Sequence, residues 1–157
     1  MICVLLTSSL RERFRILSGL VQDGAQSAVA RRIVTGPAVS SASLSDAVRV
    51  FLEIIQALPV VVDPPGKDCY ATIEHTIKHG GDCASKSVAL AALIRALADY
   101  RGVPAMQIAL VWEHRAGGPT DHVRVDLGGV VYDPLRAVPV GSRAVSWVPE
   151  WSKSVSV

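Results

Sequence analysis

The chain has 157 residues, of which 50% are hydrophobic and 19% charged, with a formal net charge of +2. That length suits one domain around one core, and the composition is too apolar for a disordered segment. The nearly balanced charge, with no block of lysines or arginines, gives no support to nucleic-acid binding, and no apolar run reaches membrane-spanning length without a charge or a proline.

Met1 to Leu6 is apolar but stops at Thr7, and positive charge arrives only at Arg11. A secretory signal has the opposite order and a longer core, so a cytoplasmic location is expected. Cys3, Cys69 and Cys83 are widely spaced and odd in number. They suggest no disulfide framework, at least one free thiol and a reducing setting.

Residues 8–33 read as a helical pair with a break near Asp23-Gly24. Leu10, Phe14, Leu17 and Leu20 recur at helical spacing, with Arg11, Arg13 and Arg15 on a solvated face. Gly36-Pro37 and the serines from Ser40 to Ser43 read as a loop. Ser43 and Asp46 form a capping box for a helix whose apolar face is Val48, Phe51, Leu52, Ile55 and Leu58, ending at Pro59. Val60-Val61-Val62 is a short extended piece, and Asp63-Pro64-Pro65-Gly66 a turn. Tyr70 to His79 then reads as a short helix stopped by Gly80.

Gly80-Gly81-Asp82-Cys83 opens the longest apolar run, in which Val88, Leu90, Leu93, Ile94 and Leu97 mark a buried helix. Cys83 sits at its first turn, where unpaired N–H groups and the macrodipole favour a thiolate. Cys69, His75, His79 and Cys83 give Cys-x5-His-x3-His-x3-Cys, a spacing that fits no usual zinc pattern. We read it as accidental and expect neither metal nor cofactor.

Arg101-Gly102-Val103-Pro104 closes the helix. Met106 to Glu113 alternates as a strand, Gly117-Gly118-Pro119 is a loop, and His122 to Leu127 is a half-buried strand. Gly128-Gly129 signals a hairpin returning through Val130 to Asp133. A further short strand is expected at Val145–Val148, and 152–157 reads as a loose tail. The sum is an α+β fold in one domain: a helical part over 1–62, a core over 63–136, and a C-terminal strand and tail over 137–157.

If Gly128-Gly129 is a two-residue loop, Leu127 pairs with Val130 and Arg124 with Asp133. Asp133 is then a diagonal neighbour of His122 on one face, with alpha carbons about 7–8 Å apart. Asp121 points to the other face, and Asp126 lies about 13 Å along the strand. Cys83, His122 and Asp133 thus supply a nucleophile, a base and a group to orient the base. The Cys83 backbone N–H is one oxyanion donor. Tyr70, shortly upstream, is the candidate for a second.

Gly81-Asp82-Cys83 opening an apolar helix, a strand starting at His122-Val123, and Asp133-Pro134 after a glycine hairpin resemble the transglutaminase-like superfamily. The likeness covers residues 63–136 and is nearest to bacterial and phage transglutaminase-like cysteine peptidases, including the turn at Asp63, the stretch from Asp68 to Thr72, and Lys86. Ala84 and Ser85 stand where such proteins often carry acidic residues. The resemblance implies a papain-like Cys-His-Asp triad of Cys83, His122 and Asp133, acting by acyl transfer at an amide of a protein or peptide. In a chain this small, with no obvious second-substrate domain, hydrolysis is favoured over crosslinking. A catalytically silent structural or assembly component, for instance virion-associated in a phage, is the alternative from another class.

Overall fold

A computed structural model describes residues 1–5, 8–103, 106–114, 121–135 and 151–157. In chain order the elements are β1 (Ile2–Leu5), α1 (Leu10–Ala25), α2 (Ala28–Val34), α3 (Pro37–Ser40), α4 (Leu44–Ala57), β2 (Lys67–Tyr70), α5 (Ile73–His79), α6 (Cys83–Arg101), β3 (Ile108–His114), β4 (His122–Leu127), β5 (Val130–Tyr132) and β6 (Trp151–Ser156). The fold is α+β: helices, a two-stranded sheet β1-β2, and a four-stranded antiparallel sheet ordered β5-β4-β3-β6.

Side-chain caps set most helix starts. Ser9, Ser27, Ser43, Thr72 and Asp82 each accept a backbone N–H from three residues on. At Ser43 the pair is reciprocal, since its hydroxyl also donates to Asp46 Oδ2 at 2.6 Å. The break in the first helical pair falls at Gln26-Ser27, not at Asp23-Gly24. Gly24 stays helical because α1 presses on α6 there: a Cβ at Gly24 would lie 3.1 Å from the Ala92 Cβ. Pro37 starts a single helical turn, α3, where the sequence suggested only a loop.

α6 is the centre of the core. Val88, Leu90, Leu93, Ile94 and Leu97 are fully buried, and α1, α2, α4, α5, β3 and β4 all pack against it. Each such side chain contributes about 1.5–3 kcal/mol by leaving water. Gly102 ends α6 with φ +62, a left-handed cap that favours glycine.

The larger sheet buries one face. Ile108, Leu110 and Trp112 on β3, Val123 and Val125 on β4, and Tyr132 on β5 alternate inward. The Ser87 hydroxyl donates to Val123 O at 2.9 Å, pinning α6 to β4. The hairpin has the expected register, Leu127 with Val130 and Val125 with Tyr132.

Several expectations are corrected, among them the solvated face at Arg13, which is buried and bonded to Asp68. The stretch read as a loose tail is strand β6, paired with β3 along its length from Ala109↔Ser156 to His114↔Trp151. Its serine-rich, short alternation is too weak a local signal, and the pairing with β3 supplies the order. Tyr70 does not begin a helix: it ends β2, and the helix starts three residues later at Ile73. Cys3 and Cys69 are joined by a disulfide, because antiparallel pairing of β1 with β2 sets their alpha carbons 4.0 Å apart. A separation of 66 residues hid that pairing. The disulfide also argues against the reducing setting drawn from cysteine spacing, since such bonds persist under oxidising conditions. The expected strand at Val145–Val148 and loop at Gly117-Gly118-Pro119 lie outside the described residues. Among the described residues, no helix is long and apolar enough to cross a membrane.

Candidate active site

The linker between α5 and α6 places Cys83. Gly80 has φ +84, and a Cβ there would lie 2.2 Å from Pro59 O, so the position requires glycine. Gly81 donates to Pro59 O at 3.1 Å and accepts from Val61 N at 3.3 Å. These two bonds lay the extended Pro59–Val61 segment against the start of α6. Lys86, fully buried one turn into the helix, donates to Leu58 O at 2.6 Å and ties the end of α4 to the same place. Asp82 caps the helix, its Oδ1 accepting from Ser85 N at 2.8 Å.

Cys83, the free thiol, opens on a cleft of about 540 Å³. Val60 to Asp68 form one wall, Trp112, Asp121 and His122 the other. Val60 and Val62 are exposed there, 62% and 86%, a bare apolar rim beside the sulfur.

His122 borders the same cleft, and its ring Nε2 meets Asp133 Oδ2 at 2.9 Å. Both side chains are largely buried. Asp133 Oδ1 accepts from Leu135 N at 2.9 Å, and its backbone carbonyl accepts from the Gln56 amide at 2.8 Å. Burial alone would raise the Asp133 carboxyl. The hydrogen bond and charge of His122 lead the opposing effects, with Leu135 N–H and Arg124 adding to them, and hold it below its ordinary value. The structure therefore places Cys83 and His122 on one cleft, with Asp133, just past the end of β5, hydrogen-bonded to His122.

Two site expectations change. Burial pushes the Cys83 thiol up to about 12, and the charge of Asp82 adds to that rise, while hydrogen bonding from Val123 and Ala84 backbone groups opposes it. The helix start does not by itself yield a resting thiolate. Tyr70 is fully buried on β2 and donates its hydroxyl proton to Asp68 Oδ2 at 2.8 Å. It does not line the cleft and has no proton to offer an oxyanion.

The four-residue Cys/His cluster does not converge: Cys69 is bonded to Cys3, and His75 and His79 form a ring pair on α5 with centroids 4.7 Å apart. Asp63, Asp68 and Asp82 bring one oxygen each within 4.8 Å of one another at the cleft. Protein groups already engage them: Asp63 accepts from Cys69 N, Asp68 from Arg13 and Tyr70, and Asp82 from Ser85 N. Asp121, next to His122, accepts from the Trp112 indole at 2.8 Å and meets His114 Nδ1 at 2.6 Å. Neither the acidic trio nor the Asp121 pair has a local sequence signature, since each joins residues from separate elements.

Comparisons with protein-family models, with curated proteins and with solved structures gave no match.

Proposed function

We propose that this chain is a thiol enzyme of the transglutaminase-like class that performs acyl transfer at amide bonds of proteins or peptides, by hydrolysis rather than crosslinking. The observation that supports it most is the hydrogen bond to Asp133 made by His122, which lines the cleft onto which Cys83 opens from a helix start. With Nε2 given to Asp133, Nδ1 is the nitrogen that takes the Cys83 proton. The thiolate attacks the amide carbon, and the oxyanion is met by the Cys83 N–H. The C–N bond then breaks, the leaving amine takes the proton from His122, and a thioester remains. Water, deprotonated by His122, attacks the thioester, releases the acid and restores the thiol. The raised thiol pKa fits this order: the nucleophile is made in the substrate complex, not held in advance.

That same raised thiol favours a second reading, a silent member of the fold kept as a structural or assembly component. Incubation with peptide and glutamine amides, followed by mass spectrometry, separates the two. The enzyme gives product and an acyl adduct confined to Cys83. Asp133→Asn should lower turnover by about 10³–10⁴-fold through the wrong imidazole tautomer, while Asp126→Asn, whose carboxylate accepts the Gly129 N–H in the hairpin turn, should cost little. Equal turnover in Asp133→Asn and the parent would remove Asp133 from the mechanism.

A further inference from the structure

Ionisable side chains of alternating sign surround His122 on its face of the sheet. His122 and Arg124 lie two apart on β4 and share that face. Glu113 on β3 is paired with His122. The hairpin register carries Asp133 opposite Arg124 on the other side. His122 therefore has a carboxylate to either side, Asp133 in contact at 2.9 Å and Glu113 one strand over. From α6, Cys83 and its cap Asp82 share the cleft with His122, and Asp121 precedes it, already engaged by Trp112 and His114.

Glu113 and Arg124 are both buried, 5% and 7% exposed. Arg124 Nη2 holds both oxygens of Glu113, while Arg124 Nε is buried with no hydrogen-bond partner. An unmet buried donor is costly, so the guanidinium is oriented by Glu113 at the expense of its own remaining bonds. We propose that Arg124 is a positioning residue that locks the Glu113 carboxylate away from His122, so that Glu113 does not compete with Asp133 for the imidazole. This rests on His122 being the catalytic base. A histidine between two carboxylates can donate to either, and donation from Nδ1 toward Glu113 would occupy the nitrogen that must take the Cys83 proton. A guanidinium is suited to occupying both carboxylate oxygens, where an ammonium is a point charge. Its charge also favours ionised Asp133, the acceptor that the base requires.

Imidazole nitrogen NMR on the full chain, together with the pH profile of Cys83 alkylation, tests this. In the parent the Nε2–H tautomer of His122 is expected to dominate, and in Arg124→Gln that dominance should be lost. The acid limb of Cys83 alkylation should also move up by roughly one pH unit, because the released carboxylate favours imidazolium. Arg124→Lys should fall between that variant and the parent. Glu113→Gln combined with Arg124→Gln removes the competing carboxylate, leaves no lone buried charge and should restore the parent tautomer. A folded Arg124→Gln with the parent tautomer would overturn the proposal. So would a double variant as altered as the single one, and that comparison decides the matter if Arg124→Gln does not fold. A parent protein whose Cys83 forms no acyl adduct counts instead against the enzyme reading, and the tautomer comparison stands apart from it.

Discussion

At the residue scale the site is a contest over where protons and charge rest. Asp82 shows it most clearly. Burial, with the carboxylates of Asp63 and Asp68 near it, raises its carboxyl to about 6 despite the Ser85 N–H it accepts. The native state thus binds a proton more tightly than the unfolded chain, whose aspartate titrates near 3.8. The contribution of Asp82 to stability is greatest below that lower value and falls as pH rises through the window between the two, by about 2–3 kcal/mol at the upper end. Asn caps a helix about as well as Asp. Asp82→Asn should therefore flatten denaturation midpoints between pH 4 and 6 and stabilise the protein at pH 7. It should also lower the Cys83 thiol pKa, since the Asp82 charge is one cause of its rise, and so speed alkylation at fixed pH. Slower alkylation together with unchanged pH dependence would show that the Asp82 charge does not reach the sulfur. Cys83, His122 and Asp133 were legible in the sequence because each is announced by its own neighbours, a glycine pair, a strand start and a hairpin. The rise of the thiol pKa was not, because it depends on what buries the sulfur.

At the element scale, the wall of the cleft is built by backbone contact, and Gly80 is its tightest point. Both its positive φ and the 2.2 Å approach to Pro59 O exclude a side chain. Gly66 makes a useful control: its φ is +77, but nothing lies within 4 Å of where a Cβ would be. Gly66→Ala should cost about 1 kcal/mol, from the strained backbone alone. Gly80→Ala should cost more than that. It should also push Pro59–Val61 away from Gly81, changing KM for peptide amides as well as the thermal midpoint. Equal losses in the two variants would mean that the contact with Pro59 is not the constraint. α4, α6 and the β4–β5 hairpin were readable because their periodicity, caps and turn are local. β1, β2 and β6 were not. β1 and β2 have four residues each, β6 is half serine, and their partners lie far along the chain. Strand order of that kind is fixed by tertiary pairing, which overrides weak local preference.

At the scale of the whole molecule, the Cys3–Cys69 disulfide closes a loop of 66 residues that contains α1 to α4. On the chain-entropy account a loop of that length contributes about 4 kcal/mol, and measured values for native disulfides fall near 2–5. β2 carries Cys69 of the disulfide and lines the candidate cleft through Lys67 and Asp68. The backbone around Cys69 is also held from the other side. Ser85 on α6 accepts from Ala71 N and donates to Cys69 O, and Asp63 accepts from Cys69 N. Asp68 on the same strand bonds Arg13 at 2.5 Å and Tyr70 at 2.8 Å. These bonds do not pass through β1. Cys3→Ser should therefore lower stability by about 2–4 kcal/mol, a thermal midpoint lower by roughly 2–4 °C for each of them. Acylation of Cys83 at 25 °C should stay within about twofold of the parent, since the two Ser85 bonds hold Cys69 of β2 and Ala71 just after it against the first turn of α6. The measurement is a thermal melt beside the rate of Cys83 adduct formation. A rate that falls in step with stability, at a temperature where the variant is fully folded, would show that β1 is part of the site's support and that the hydrogen bonds of Ser85 and Asp63 are not enough to hold the cleft.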